Sequence, residues 1–425
     1  MSASRSAAAG PASRSRLAAF HLGCLAVAGS YGLTLLLPAF VTAAGGSPAR
    51  AGLIYWSGAL GAGAALILSG RLAERLGAGR SAAGGAVLYA VATGILAGGG
   101  VLGGDAYAAG LLLGAGWALF FTSAPITVSS MAGARQAGSC FLVLAGFNAL
   151  GMGAAPIAGQ LLVQHGWSCR AVFALAALLS ACSAALSYGS ARDLRRPAAA
   201  AQARGGTSGR TGPARQVLAS RARPFLLMVL LGACVFTTMT AFQPALASSR
   251  SQSAPVFYAF YTLGVIVPRF TVTRLLARLR PAAVTTALLA GMCLSLGGFM
   301  LAGHNQVLYA VSAAVLGVSY GLAYPLIQAR AADSTPGELR HWTLWYFSLA
   351  YFAGLYGFPF IASLVIALGG YQALMAVLLT ISVAELAVSA RAQDPARPKR
   401  APRLPARLAA NMPVAAPTGT PRALL

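Results

Sequence analysis

The sequence predicts an all-α membrane protein, with twelve transmembrane helices arranged as two pseudo-symmetric six-helix bundles. Three observations lead there. Of 425 residues, 57% are apolar and only 9% charged, with a mean hydropathy of +0.71; a soluble chain carries roughly a quarter charged residues. Apolar runs long enough to cross a bilayer, about 20 residues each, recur along the whole chain. A weak internal repeat sits at a fixed offset, as in transporters built by duplication.

The first half holds apolar runs at 17–43, 51–69, 82–102, 107–131, 140–164 and 170–188, and the second at 224–247, 255–273, 282–302, 307–329, 342–368 and 371–390. Residues 1–16 are polar and Arg-bearing. No small-residue cleavage site follows a short apolar core there, so the first run reads as a retained span. Residues 189–223 are rich in Ala, Gly, Ser and Arg without apolar periodicity. They read as a flexible cytoplasmic linker with room for a short surface helix. The Pro/Ala/Arg-rich segment 391–425 reads as a disordered tail. The domain reading is therefore a tail (1–16), a bundle (17–188), a linker (189–223), a second bundle (224–390) and a second tail (391–425).

Charge sets the orientation. Seven acids face 31 bases, a net charge of +24. With both termini inside, only Arg50, Arg170 and Arg250 fall outside, leaving 28 of the 31 bases on the inner side, as the positive-inside rule requires. Thirty of the bases are Arg, in keeping with a GC-rich bacterial genome. The expected location is a bacterial inner membrane, multi-pass, with both termini cytoplasmic. The bases lie in short loops and tails between spans, which argues against nucleic-acid binding. Six cysteines (Cys24, Cys140, Cys169, Cys182, Cys234, Cys293) form no Cys-x-x-Cys pair and read as small packing residues. No phosphate loop, Ser/His/Asp set or metal-ligand cluster appears, so neither an enzyme, a cofactor, a metal site nor a nucleotide-driven pump is expected.

The repeat is visible at three places. Residues 70–76 align with 273–279, Gly114 with Gly317, and Gly151 and Pro156 with Gly354 and Pro359, all at an offset of 203. The second copy has Ala277 where the first has Glu74.

Residues 70–80 (Gly-Arg-Leu-Ala-Glu-Arg-Leu-Gly-Ala-Gly-Arg) form a charged turn between the second and third spans. Gly70 is expected to let the incoming helix pack closely, and Gly77 and Gly79 to permit the angles of a tight reversal. This stretch resembles the Gly-x-Leu-Ala-Asp-Arg-x-Gly-Arg-Lys/Arg signature of the major facilitator superfamily. Gly70, Leu72, Ala73, Arg75, Gly77 and Arg80 match, Glu74 stands for the usual Asp, and Ala78 and Gly79 replace polar and basic residues. The resemblance covers about residues 17–390 and implies a secondary transporter working by alternating access. It also implies that residues 70–80 lock the cytoplasmic side closed, through Glu74 and Arg75.

Residues 151–160 of the fifth span resemble the superfamily's Gly-x-x-x-Gly-Pro-x-x-Gly-Gly motif, associated with antiporter-type exporters. Gly151, Pro156 and Gly159 match; Ala155 and Gln160 depart. Small residues there allow close helix approach, and the proline provides a bend or pivot. The competing reading is ordinary small-residue packing. In the fourth span the exporter pattern calls for Arg where this chain has Gly110, and the first span lacks the usual carboxylate.

Ionisable residues within spans are functional candidates by default. The only acid in any predicted span is Glu385, in the last one. It reads either as a structural or snorkelling group or as a proton site. Arg269 reads as snorkelling to the inner surface or as a contact for an anionic substrate. His21 and His341, at inner span ends, and His165 and His304, outside, read as interfacial. The resemblance implies a cavity lined mainly by spans one, four, seven and ten with two, five, eight and eleven beside them. These offer Tyr31, Trp56, Trp117, Asn148, Thr237, Gln243, Tyr258, Tyr261, Tyr320 and Tyr324, with Trp345 and Tyr346 near the inner boundary. Aromatic walls with a few hydrogen-bonding groups suit a medium-sized amphipathic or hydroxylated molecule.

The expected function is export of a drug-, sugar- or siderophore-like molecule, with protons as a candidate coupling ion. The alternative is uptake of a small organic solute or anion; a receptor or sensor would need a folded soluble domain that the linker and tail are too short and too biased to form. The expected partners are the substrate and the lipid bilayer, and the expected state is a monomer.

Overall fold

The computed structural model describes residues 14–132, 137–191, 214–271 and 279–392, and every regular element among them is helical. Most of both expected tails and of the linker, and nearly all of the second-copy turn at 273–279, lie outside the described residues. Among the described residues ten helices are long and apolar enough to cross a membrane. "Inner" and "outer" below follow the charge-based orientation.

The first span is α1 (Arg14–Thr34) and α2 (Leu37–Ala43), separated at Leu35 and Leu36, with Pro38 in the first turn of α2. A proline there lacks the N–H that would continue the helix. Helices α3 (Pro48–Leu76), α4 (Ala78–Gly99), α5 (Asp105–Ala132), α6 (Ala137–Gln164) and α7 (Cys169–Ala191) complete the first half. A short helix, α8 (Ala214–Ala219), falls within the expected linker. The second half repeats the opening break: α9 (Arg223–Ala241) and α10 (Gln243–Ser248) meet at Phe242, with Pro244 in the first turn of α10. Then come α11 (Ala254–Thr271), α12 (Pro281–Leu301), α13 (Gln306–Asp333) and α14 (Gly337–Phe352), followed by a π-helical turn, Ala353–Gly357, and α15 (Phe358–Arg391).

The last continuous path, Leu339–Arg391, is 53 residues long. Straight, it would reach about 80 Å, more than twice the hydrocarbon thickness. It does not run straight: Gly370 has φ 69°, ψ −170°, a backbone state open to glycine and costly for other residues, and it divides α15 into an outer and an inner arm.

The two halves pack alike. In the first, α5 lies against α3 and α4, and α7 against α1 and α4. In the second, α13 lies against α11 and α12, and α15 against α9 and α12. The equivalence extends to single contacts. The Tyr55 hydroxyl donates to the Thr34 carbonyl at 3.0 Å, and the Tyr258 hydroxyl to the Thr240 carbonyl at 2.6 Å. A Cβ added at Gly114 would land on the backbone of Gly58, and one at Gly317 on the carbonyl of Tyr261 beside Gly264. Gly151 faces Leu25, Ala28 and Gly29 of α1, as Gly354 faces Leu230, Ala233 and Cys234 of α9.

Four sequence expectations change here. The turn at 70–80 is far shorter than its motif: α3 continues to Leu76, α4 begins at Ala78, and Gly77 alone (φ 88°) makes the reversal. Gly70 packs against nothing within 4 Å. Gly79 is helical and serves close packing against Ala191 rather than backbone freedom. Pro156 lies inside a continuous α6, and the departure from regular helix occurs instead in the π-turn just before its counterpart Pro359.

Candidate functional site

The two bundles meet along a seam of aromatic rings. Tyr31 of α1 stacks on Trp117 of α5 at 4.5 Å between centroids. Trp117 neighbours Phe121 at 6.0 Å, and Phe121 reaches across the bundle boundary to Tyr351 and Phe352 of α14, at 5.8 and 6.0 Å. From Tyr351 the contacts pass to Tyr324 and Tyr320 of α13, and Tyr320 stacks on Phe236 of α9 at 4.7 Å with an interplanar angle of 5°. Tyr55 of α3 meets Tyr356 in the π-turn at 6.3 Å. Offset stacking and edge contacts of this kind stabilise by about 0.5–1.5 kcal/mol per pair beyond the area they bury.

The bundles also touch above and below this level. On the outer side Gly52 of α3 lies against Pro359 and Phe360 of α15. At mid-depth Gly153 of α6 lies against Thr262 of α11. On the inner side the Trp345 indole donates to the Leu66 carbonyl at 3.3 Å. There too Arg269 of α11 donates to Ala145 of α6 at 3.2 Å and to Gly321 of α13 at 3.3 Å. The bundles are thus in contact from the outer side to the inner side.

Polar atoms without partners collect near the seam. The Trp117 Nε1, Asn148 Oδ1, Thr237 Oγ1, Thr262 Oγ1 and Tyr356 hydroxyl are buried and hydrogen-bonded to nothing among the described residues. Buried polar groups are ordinarily satisfied, so donors and acceptors gathered between two bundles are places where a bound molecule gains hydrogen bonds. Among the described residues no group of His, Cys, Asp and Glu is placed to hold a metal ion.

Of the cavity candidates, Tyr31, Trp117, Tyr261, Tyr320 and Tyr324 belong to the aromatic network, and Asn148 and Thr237 carry unpartnered polar atoms. Trp56 does not belong there: it is 45% exposed on the outward face of α3. Gln243 is fully buried and donates to the Tyr309 hydroxyl, and Tyr258 is spent on Thr240, so both hold their own bundle together. The sequence reading missed Phe121, Tyr351, Phe352 and Tyr356. Tyr351 and Phe352 lie within a span assigned to the cavity's flank, and a preference for polar groups hid the two phenylalanines.

Three ionisable side chains sit differently from a reading the sequence offered. Arg269 does not snorkel, because its guanidinium turns between α6 and α13. Glu385 does not snorkel either, being 1% exposed. His21 is buried rather than interfacial, its imidazole within hydrogen-bond reach of the Leu17 carbonyl at 2.8 Å and the Cys140 carbonyl at 3.3 Å. On the outer side Arg50 donates to the Leu102 carbonyl in the turn after α4, and Arg250 to the Phe299 carbonyl in the last turn of α12. Burial draws Arg250 below the ordinary guanidinium pKa, and Tyr309 opposes that shift. In the gate motif Glu74 is half-buried in the last turn of α3, Arg75 and Arg80 are exposed, and Glu74 pairs with no cation among the described residues. An outer pocket of about 450 Å³ lies beside Arg50 and Tyr107, away from the seam.

The architecture defines a two-bundle membrane transporter. The family model for the major facilitator superfamily matches residues 19–357, and the chain belongs to that superfamily. Solved structures agree on the fold. The nucleoside transporter NupG matches with a TM-score of 0.71 at 14% identity, covering 89% of this chain and 98% of its own. The Escherichia coli fucose:proton symporter FucP matches at 0.61 and 17%, covering 89% and 98%. The human organic anion transporter MFSD10 matches at 0.60 and 16%, covering 88% and 99%. No curated relative matches the chain.

Proposed function

We propose that this transporter moves a small, ring-bearing organic molecule by alternating access, with export as its direction and protons as the coupling ion. The aromatic seam with its unpartnered polar atoms carries this reading. Phe121, Tyr351 and Phe352 must part before anything can pass between the bundles, and Trp117, Asn148, Thr237 and Tyr356 then offer hydrogen bonds to what enters. The close approach of Gly151 and Gly159 to α1 and the neighbouring leucines supports a pivot between α6 and α1. Twelve spans follow if Gly370 separates two of them and α11 counts as one. The positive-inside distribution then favours cytoplasmic termini and a bacterial inner membrane. A monomer completes the reading.

Uptake is the second reading. It is favoured by Arg269, whose guanidinium lies at the bundle boundary where an anionic solute would meet it, and by relatives of this fold that are a fucose:proton symporter and an organic anion transporter.

Inside-out vesicles with an acid interior decide between the two. The labelled probes are a nucleoside, a sugar, a hydrophobic cation and a carboxylate chelator. Export by antiport predicts gradient-dependent accumulation of one class inside the vesicles. Solute lost from the lumen along the same gradient supports uptake instead, and movement indifferent to the gradient removes proton coupling.

A further inference from the structure

A second polar site lies off the seam. On the inner arm of α15, Ser382, Glu385 and Ser389 face α9 and α12. Ser389 Oγ is 2.9 Å from Thr286 Oγ1, and Ser382 Oγ is 3.2 Å from Cys293 Sγ. Glu385 lies between them, 1% exposed, and its Oε2 has no hydrogen-bond partner among the described residues. Its carboxyl rests on Gly232 of α9, where an added Cβ would come within 3.1 Å of Oε1 and 3.4 Å of Oε2.

The first half carries the same face. Ser180, Ser183 and Ser187 of α7 are fully buried, each 202 positions before Ser382, Glu385 and Ser389, and Gly23 of α1 lies against Ser183 and Ser187. The first half fills the middle position with serine, so packing in this triangle does not require an acid. The second half fills it with the only glutamate buried among the described residues.

The groups facing the carboxyl are few. Helix α9 contributes Cys234, α12 contributes Cys293, and α15 itself contributes only hydroxyls. Arg330 of α13 is turned toward the Ala392 carbonyl at the end of α15 and lies over the Phe225 ring. Among the described residues no cation pairs with Glu385. A lone carboxylate removed from water and from counter-charge takes up a proton instead, and acids in spans are characteristic of proton pathways.

We propose that Glu385 is a proton-binding site set apart from the substrate path. The acid holds its proton while α9, α12 and α15 are packed as here. Its O–H bond breaks, and the proton passes to water, when that triangle opens. The proton's place in a transport cycle rests on the function proposed above; its binding does not.

The test uses the full chain in proteoliposomes and dicyclohexylcarbodiimide, a probe that modifies protonated carboxyls in apolar surroundings, read by peptide mass spectrometry. Glu385 is expected to be modified at neutral pH in preference to the exposed Asp333. Once the site titrates, modification should fall about tenfold per unit rise in pH. Infrared spectra should show a protonated-carboxyl carbonyl band that is absent in Glu385→Gln and fades on alkalinisation. Glu385→Ser copies the first half and should fold with unchanged helix content, while losing gradient-driven movement of whichever probe the wild type moves. Modification that does not change with pH shows a permanently neutral, structural acid and overturns the proposal, as does no modification at any pH. If the wild type moves none of the probes, the transport reading fails while the labelling result still stands.

Discussion

A methyl group added at Gly70 would touch nothing within 4 Å, whereas one added at Gly114 would land on the backbone of Gly58. Gly70→Ala should therefore be tolerated and should raise stability by up to about 1 kcal/mol, the ordinary gain of alanine over glycine in a helix. Gly114→Ala forces α3 and α5 apart and should cost about 1–3 kcal/mol. Thermal unfolding in detergent checks both, and equal shifts for the two would contradict the packing described. The same contrast marks where sequence reading falls short. Gly70 and Gly114 look alike as letters, and so do Trp56 and Trp117, yet one of each pair faces outward and the other faces a neighbouring helix. In a bilayer both faces of a helix are apolar, so periodicity carries little information about which way a side chain points. The snorkelling alternative for Arg269 and Glu385 and the interfacial reading of His21 fail for the same reason: each lies near a span end in sequence, and only the packing shows that it turns inward. Arg50 and Arg250 are exceptions to the inner-side rule for a local reason: Arg250 donates to the Phe299 carbonyl in the last turn of α12, where a cation is favoured, and Arg50 to the Leu102 and Gly103 carbonyls in the turn after α4.

Helices were more legible than side chains. The apolar runs locate the spans to within a few residues at most ends, and the break beside Pro38 follows from proline chemistry. The break beside Pro244 has the same cause. The π-turn was not legible, because nothing in Ala-Gly-Leu-Tyr-Gly distinguishes an i→i+5 turn from a regular one; π-bulges appear mostly where function demands them. It places Tyr356 against Tyr55 across the seam and leaves its hydroxyl unpartnered. Deleting Leu355 should remove the surplus residue of the π-turn and restore regular α-helix, withdrawing the bulge that sets Tyr356 against Tyr55. Helix content by circular dichroism should stay near wild type while transport falls at least about tenfold, a loss of about 1.4 kcal/mol in the limiting barrier. Unimpaired transport would show the π-turn to be incidental.

In the alternating access proposed above, the two bundles rock about the seam, and the inner side is then held by contacts that break and reform. Trp345 with Leu66 and Arg269 with Ala145 join the bundles on that side and are the candidates. Glu74 belongs to the same face. An acid in the last turn of a helix opposes the helix dipole, and here it is offset by no ion pair among the described residues, so its presence is not explained by local stability. Glu74→Ala should leave expression and thermal stability intact and reduce transport at least tenfold, about 1.4 kcal/mol; unchanged transport would remove Glu74 from the gate. At this scale the sequence was most informative. An offset of 203 read from a few glycines and prolines identifies the residues that occupy equivalent places in the two halves, because backbone-to-backbone contact tolerates almost no substitution. Substrate and direction were not legible, since they depend on which unpartnered atoms the seam presents when it opens.

The joint at Gly370 has a mechanical consequence. Most neighbouring spans are separated by turns that can absorb movement, but the outer arm of α15 passes into its inner arm through a single non-helical residue. The outer arm, with the π-turn and Tyr356 at its root, borders the seam; the inner arm carries Glu385. With no slack between them, the alternating access proposed above would work the pair as a bell crank, a tilt at the outer arm being delivered as a displacement at the other.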